Sequence, residues 1–167
     1  MSLTELAIAL GDVLRATNAT VTTAESCTGG GIAEAITHVP GSSQWFDVGF
    51  ITYSNAQKNK LLNVPSNLIE QDGAVSQSVV EAMVRAACDK GSARFGVAVS
   101  GIAGPEGGSV AKPVGTVWVA WYDASNELIY SHCYHFLGDR AAVRQQTVVC
   151  ALRGLVMLVT GKSPLDG

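Results

Sequence analysis

Charge is scarce in this chain. Asp, Glu, Lys and Arg make up 15% of it, and the formal net charge is −3. The eleven Lys and Arg residues are scattered, which excludes the basic stripe of a nucleic-acid surface. Paired cysteine motifs are also missing. Cys27, Cys88, Cys133 and Cys150 are widely spaced, with no CxxC, so zinc-knuckle and redox-motif readings fail. Histidine is limited to three residues. His132 and His135 fall three apart in a predicted strand and so face opposite sides of it; no metal site is expected. Charged or polar residues interrupt each apolar run, so no membrane span is expected. The start, Met1-Ser2-Leu3-Thr4-Glu5, has no basic region followed by an apolar core. The expectation is therefore a cytoplasmic chain with reduced thiols.

Apolar residues, in contrast, reach 47% and mean hydropathy is positive. That argues against disorder and suggests apolar surface hidden in a homodimer or higher oligomer. The length of 167 residues suits one domain with a sizeable core, spanning 1–167.

The periodicity alternates between helix and strand. Leu3, Leu6, Leu10, Val13 and Leu14 mark an amphipathic first helix. A strand is predicted near Thr20 to Ala24, and a helix from about Gly29 to Thr37. A second strand spans Phe46 to Tyr53. Ser54 or Asn55 then caps a short helix carrying Lys58, Leu61 and Leu62. Pro65 and Ser66 start another short helix, and Ser76 caps a long one ending near Gly91. Phe95 to Ser100 is a continuous apolar run, as in a central strand buried on both faces. After a Gly-rich loop, strands at Gly115 to Tyr122 and Leu128 to Phe136 form a hairpin through Asp123-Ala124-Ser125-Asn126. Asp139 opens a last helix. The fold class is α/β: a mixed, mostly parallel sheet with a C-terminal hairpin and helices on both sides. If the first three strands are parallel, Ser26, Tyr53 and Ser100-Gly101 end in one crevice, where such sheets receive ligands.

The segment Thr22-Thr23-Ala24-Glu25-Ser26-Cys27-Thr28-Gly29-Gly30-Gly31 carries the most chemistry. Its polar trio sits between a strand and a helix start, beside free backbone N–H groups. The glycines permit close backbone approach to a ligand. They match neither the GxGxxG fingerprint nor a P-loop. Ser26 can be a helix cap, but Thr28 can take that role and leave Ser26 free as a nucleophile. A serine needs a base. No histidine ends a strand on this side, since His38 sits at the far end of its helix. Among five lysines, Lys58 follows Tyr53 across a strand-to-helix turn. Burial would lower its pKa from about 10.4 towards one that accepts a proton. The Tyr53 hydroxyl can orient Ser26 or relay its proton. Cys27 competes as a thiol nucleophile or is a small buried residue. The loop Ser100-Gly101-Ile102-Ala103-Gly104-Pro105-Glu106-Gly107-Gly108-Ser109 is rich in backbone donors and suits a small polar ligand. Arg140 and Arg144, one turn apart at a helix start, suit a phosphate.

Seven ordered motifs resemble the CinA carboxyl-terminal domain family over nearly the whole chain: Thr23 to Gly30, Gly41-Ser42-Ser43, Tyr53-Ser54-Asn55 with Lys58, Gly73-Ala74-Val75-Ser76, Ser100 to Pro105, Lys112 to Val117, and Gly138-Asp139-Arg140. The length leaves no room for the larger amino-terminal domain of full-length CinA, so a stand-alone member is expected. The resemblance implies a three-layer α/β/α sandwich, often dimeric. It implies hydrolysis of nicotinamide mononucleotide to nicotinate mononucleotide and ammonia, with no cofactor. It further implies Ser26 as nucleophile, Lys58 as base and Tyr53 assisting. Backbone N–H groups of Cys27, Thr28, Gly29 and Gly30 would hold the oxyanion. Ser100, Gly101, Ala103, Gly104 and Arg140 would line the nucleotide site, Arg140 on the 5′-phosphate. Two alternatives stand beside this: a Ser-Lys amidase for another small amide, and a non-catalytic nucleotide-binding module linked to competence or DNA damage.

Overall fold

A computed structural model describes residues 1–166; Gly167, the last residue of the expected domain, lies outside the described residues. In chain order the elements are α1 (Leu3–Thr17), β1 (Val21–Glu25), α2 (Gly31–Thr37), β2 (Phe46–Ile51), α3 (Asn55–Leu62), α4 (Ser66–Asp72), α5 (Gln77–Gly91), β3 (Phe95–Gly101), β4 (Thr116–Asp123), β5 (Leu128–His135) and α6 (Arg140–Val159). Short 3-10 turns lie at Ser42–Gln44 and Pro164–Asp166. Local chemistry sets several of these starts. Ser2 and Glu5 form a capping box on α1. Ser54, Ser76 and Asp139 accept N–H bonds at the starts of α3, α5 and α6.

The five strands are ordered β2-β1-β3-β4-β5. β1 pairs in parallel with β2 and β3, whereas β3–β4 and β4–β5 are antiparallel. Only β4 therefore runs against the rest, and β1, β2 and β3 finish on the same side. β3 is buried along nearly its whole length, as its unbroken apolar run requires.

Alternation along the strands sorts the core into two layers. Val97, Val99, Val119 and Trp121 meet α1, α2 and α6 on one face. On the other, Ala24, Ala98 and Ala120, register neighbours across three strands, meet α5 and the short helices before it. Small residues there let α5 settle close to the sheet. α6 needs a correction. By length and composition it is apolar enough to cross a membrane, contrary to the expectation that no such run exists. Here it is a core helix: Val143, Thr147, Ala151, Leu155 and Leu158 are buried along one side, and Trp121 Nε1 donates to the Ala151 carbonyl (3.0 Å).

Candidate active site

The crevice forms at the ends of β1, β2 and β3. β1 delivers Ser26, and Ser26 N–H donates to the Val99 carbonyl (3.2 Å), tying the turn to β3. β2 leads through Thr52 and Tyr53 into α3. Within α3, Lys58 and Leu62 are the two buried residues. Their i, i+4 spacing places them on one face, so the same face that anchors the helix carries the lysine inward. Lys58 is 1% exposed.

Lys58 Nζ lies 3.0 Å from Ser26 Oγ, 2.9 Å from the Thr52 carbonyl and 3.3 Å from the Tyr53 carbonyl. A neutral amine has two N–H bonds and one lone pair. Two carbonyls can accept the N–H bonds, which leaves the lone pair for the Ser26 hydroxyl. Burial holds the Lys58 pKa below the ordinary lysine value of 10.5. The Cys27 thiol is shifted the opposite way. Burial, with Glu25 nearby, pushes it up to about 11, so at neutral pH it is a thiol rather than a thiolate. This favours the alcohol at 26 as the activated group.

Ser26, Cys27, Tyr53, Lys58, Ser100, Gly101, Ala103, Gly104 and Arg140 all line one cavity of about 270 Å³. Asn55, Ala74, Val75, Ile102 and Glu106 complete its wall. A larger cavity of about 660 Å³ adjoins it, sharing Ala103 and Arg140. Arg140 stands at the boundary: Nη1 donates to the Gly104 carbonyl (2.8 Å) and Nη2 to the Tyr53 hydroxyl (2.8 Å). The Tyr53 ring is half exposed, and among the described residues its hydroxyl bonds to neither Ser26 nor Lys58.

Thr28, Gly29 and Gly30 form the back of the turn and do not line this cavity. The Gly29 N–H donates to the Ser26 carbonyl (3.0 Å), so it is not available to an oxyanion as expected. The glycines do serve the turn's shape: Gly29 and Gly30 adopt φ of +57° and +100°, a region costly for other residues. Two further expectations need correction. The helix after the turn is capped by neither Ser26 nor Thr28. The buried Glu25 carboxylate accepts N–H bonds from Ile32 (2.8 Å) and Ala33 (3.0 Å) and the Thr28 hydroxyl (2.6 Å). A negative charge at a helix start is favourable, and it leaves Ser26 free. Arg144, expected beside Arg140 at an anion, instead donates to the Cys27 and Thr28 carbonyls (both 3.1 Å).

Glu25 and Glu106 escaped the sequence reading as functional positions. A carboxylate just before a polar-glycine turn was the available signal for Glu25. Nothing local distinguished Glu106 within its loop.

Comparisons with known proteins identify the family of this chain. The CinA C-terminal domain family model matches residues 3–159. The nicotinamide-nucleotide amidohydrolase PncC of Pseudomonas putida is 65% identical over 158 residues, covering 95% of this chain and 98% of that protein. The protein of the same name from Escherichia coli strain K12 is 49% identical over 154 residues, 92% of each. The crystal structure of a competence/damage inducible protein from Agrobacterium tumefaciens superposes with a TM-score of 0.91 at 38% identity, covering 96% of this chain and 99% of that one. With an α/β sandwich, a serine and lysine in contact at three strand ends, and a family match across most of its length, this chain belongs to the CinA C-terminal domain family.

Proposed function

We propose that the chain hydrolyses the carboxamide of nicotinamide mononucleotide through a Ser-Lys acyl-enzyme. The observation that carries this reading is the 3.0 Å approach of Lys58 Nζ to Ser26 Oγ inside a lined cavity. The names of the relatives from Pseudomonas putida and Escherichia coli supply the substrate.

Neutral Lys58 takes the Ser26 proton as Oγ bonds to the carboxamide carbon. The carbonyl becomes a tetrahedral oxyanion, received by free N–H groups of the turn; a missing donor of this type costs about 3–4 kcal/mol of barrier. Lys58 returns the proton to the departing nitrogen, the C–N bond breaks and ammonia leaves. Water then attacks the ester, giving up its proton to Lys58, and the acid leaves as Ser26 is restored. The carboxamide end occupies the smaller cavity, and the ribose phosphate extends past Arg140 into the larger one. The pyridinium ring of this nucleotide is cationic. Glu106 and the exposed Tyr53 ring, both on the cavity wall, suit a cation.

Ammonia release from nicotinamide mononucleotide tests the reading. Wild-type protein is expected to turn it over, and Ser26→Ala to lose about 10³-fold or more in kcat while retaining its Tm. Undiminished release by Ser26→Ala would reject the nucleophile. Binding of the nucleotide without turnover by wild type would leave a binding module.

A further inference from the structure

The turn after the nucleophile is held from two sides by opposite charges. Arg144 reaches it from α6, with Nε on the Cys27 carbonyl and Nη2 on the Thr28 carbonyl, each at 3.1 Å. From the other side the Glu25 carboxylate holds the Ile32 and Ala33 N–H groups and the Thr28 hydroxyl. The contact with Arg144 is close: a Cβ on Gly29 would lie 3.4 Å from Nη2. Arg144 lines the larger cavity and not the one containing Ser26, so it grips the turn from behind.

A trans peptide is planar, and its C=O and N–H point in opposite directions. Anchoring the Cys27 carbonyl on Arg144 therefore sends the Thr28 N–H away from the guanidinium. The next peptide obeys the same rule. Its Thr28 carbonyl faces Arg144, and its Gly29 N–H turns back to the Ser26 carbonyl. Among the described residues, the Thr28 N–H donates to no backbone carbonyl.

We infer that Arg144 is a positioning residue for the reaction: by holding the Cys27 carbonyl on its guanidinium, it aims the Thr28 N–H at the oxyanion. This inference rests on the amide-hydrolysis reading. It requires the forked geometry of a guanidinium, because a lysine ammonium cannot place two donors in one plane on neighbouring carbonyls. Arg144 touches no reacting atom, so its positioning role is read in kcat; its charge on the wall of the larger cavity, which Lys retains, is read in KM.

Arg144→Lys keeps the charge and removes the fork. Its kcat for nicotinamide mononucleotide is expected to fall by about 10–100-fold, with KM within about twofold of wild type. A second readout separates positioning from simple support of the fold. The 3-formylpyridine analogue of the nucleotide adds to a serine hydroxyl as a tetrahedral adduct. Its inhibition constant is expected to rise in parallel with the fall in kcat. Arg144→Gln, which retains one donor group, carries the same comparison if the Lys variant does not fold. A kcat per folded molecule within about twofold of wild type in the folded variant would overturn the inference. So would a fall in kcat with unchanged inhibition by the aldehyde. If wild-type protein releases no ammonia, the hydrolase reading falls first and takes this inference with it; if it does and Arg144→Lys matches it, only the inference falls.

Discussion

A lysine sealed from water and bonded to two carbonyls gives up its proton more readily than a free one. Because burial lowers the Lys58 pKa from 10.5, kcat/KM is expected to rise with pH along a limb whose midpoint lies below the ordinary lysine value; a pH–rate profile checks this. Lys58→Met should lose about 10³-fold in rate and the limb with it. The same shift acts on stability. The unfolded chain holds this proton more tightly than the folded one, so the folded state carries a cost below its own Lys58 pKa. That cost is relieved as pH rises towards 10.5. Wild type should therefore gain stability relative to Lys58→Met as pH rises towards 10.5, measured by urea unfolding. At this scale the sequence offered Ser26 and Lys58 as chemically suitable types. It gave no means of knowing the lysine's burial, which comes from α3 sharing its inner face between Lys58 and Leu62, or the thiol character of Cys27.

Elements whose ends carry their own capping chemistry were the most legible. α5 begins after Ser76 and α6 after Asp139 as expected. The helix after the Ser26 turn starts two residues later than its glycines suggested, because its cap arrives from β1 through Glu25 rather than from an adjacent hydroxyl. A cap contributed by the preceding strand leaves little local trace. The β4–β5 hairpin is similarly fastened by a partner far along the chain. Asp123 accepts from Arg94 Nε (3.1 Å), the Ser125 N–H (3.1 Å) and Asn126 Nδ2 (2.9 Å). Burial pulls its pKa up, but hydrogen bonds from Arg94 and Asn126 prevail and hold it below 3.8. Its contribution is therefore present above the unfolded value and lost as pH falls through the folded one. Asp123→Asn should cost about 1–3 kcal/mol near neutrality. Thermal melts should show that difference shrinking as pH falls below 3.8.

The whole molecule depends on how tightly α6 is seated. A Cβ on Gly154 would lie 2.3 Å from the Trp121 ring, so Gly154→Ala forces helix and sheet apart. Overpacking of this kind costs about 1–3 kcal/mol, or a Tm lower by roughly 2–12 °C. Calorimetry checks the size of the drop. Activity should fall too, since α6 also carries Arg140 and Arg144. The layer count and the mixed sheet followed from alternation and from the apolar run of β3. The sequence did not reveal that both arginines would be engaged by other loops, because their partners lie in distant segments: Gly104 and Tyr53 for one, Cys27 and Thr28 for the other. Ser26 enters from a turn backed by α2 and α6, whereas Lys58 enters from α3, whose Leu62 belongs to the opposite core. Splitting the chain anywhere between these segments separates the alcohol from its amine, so an excised piece that still folds is expected to be chemically silent.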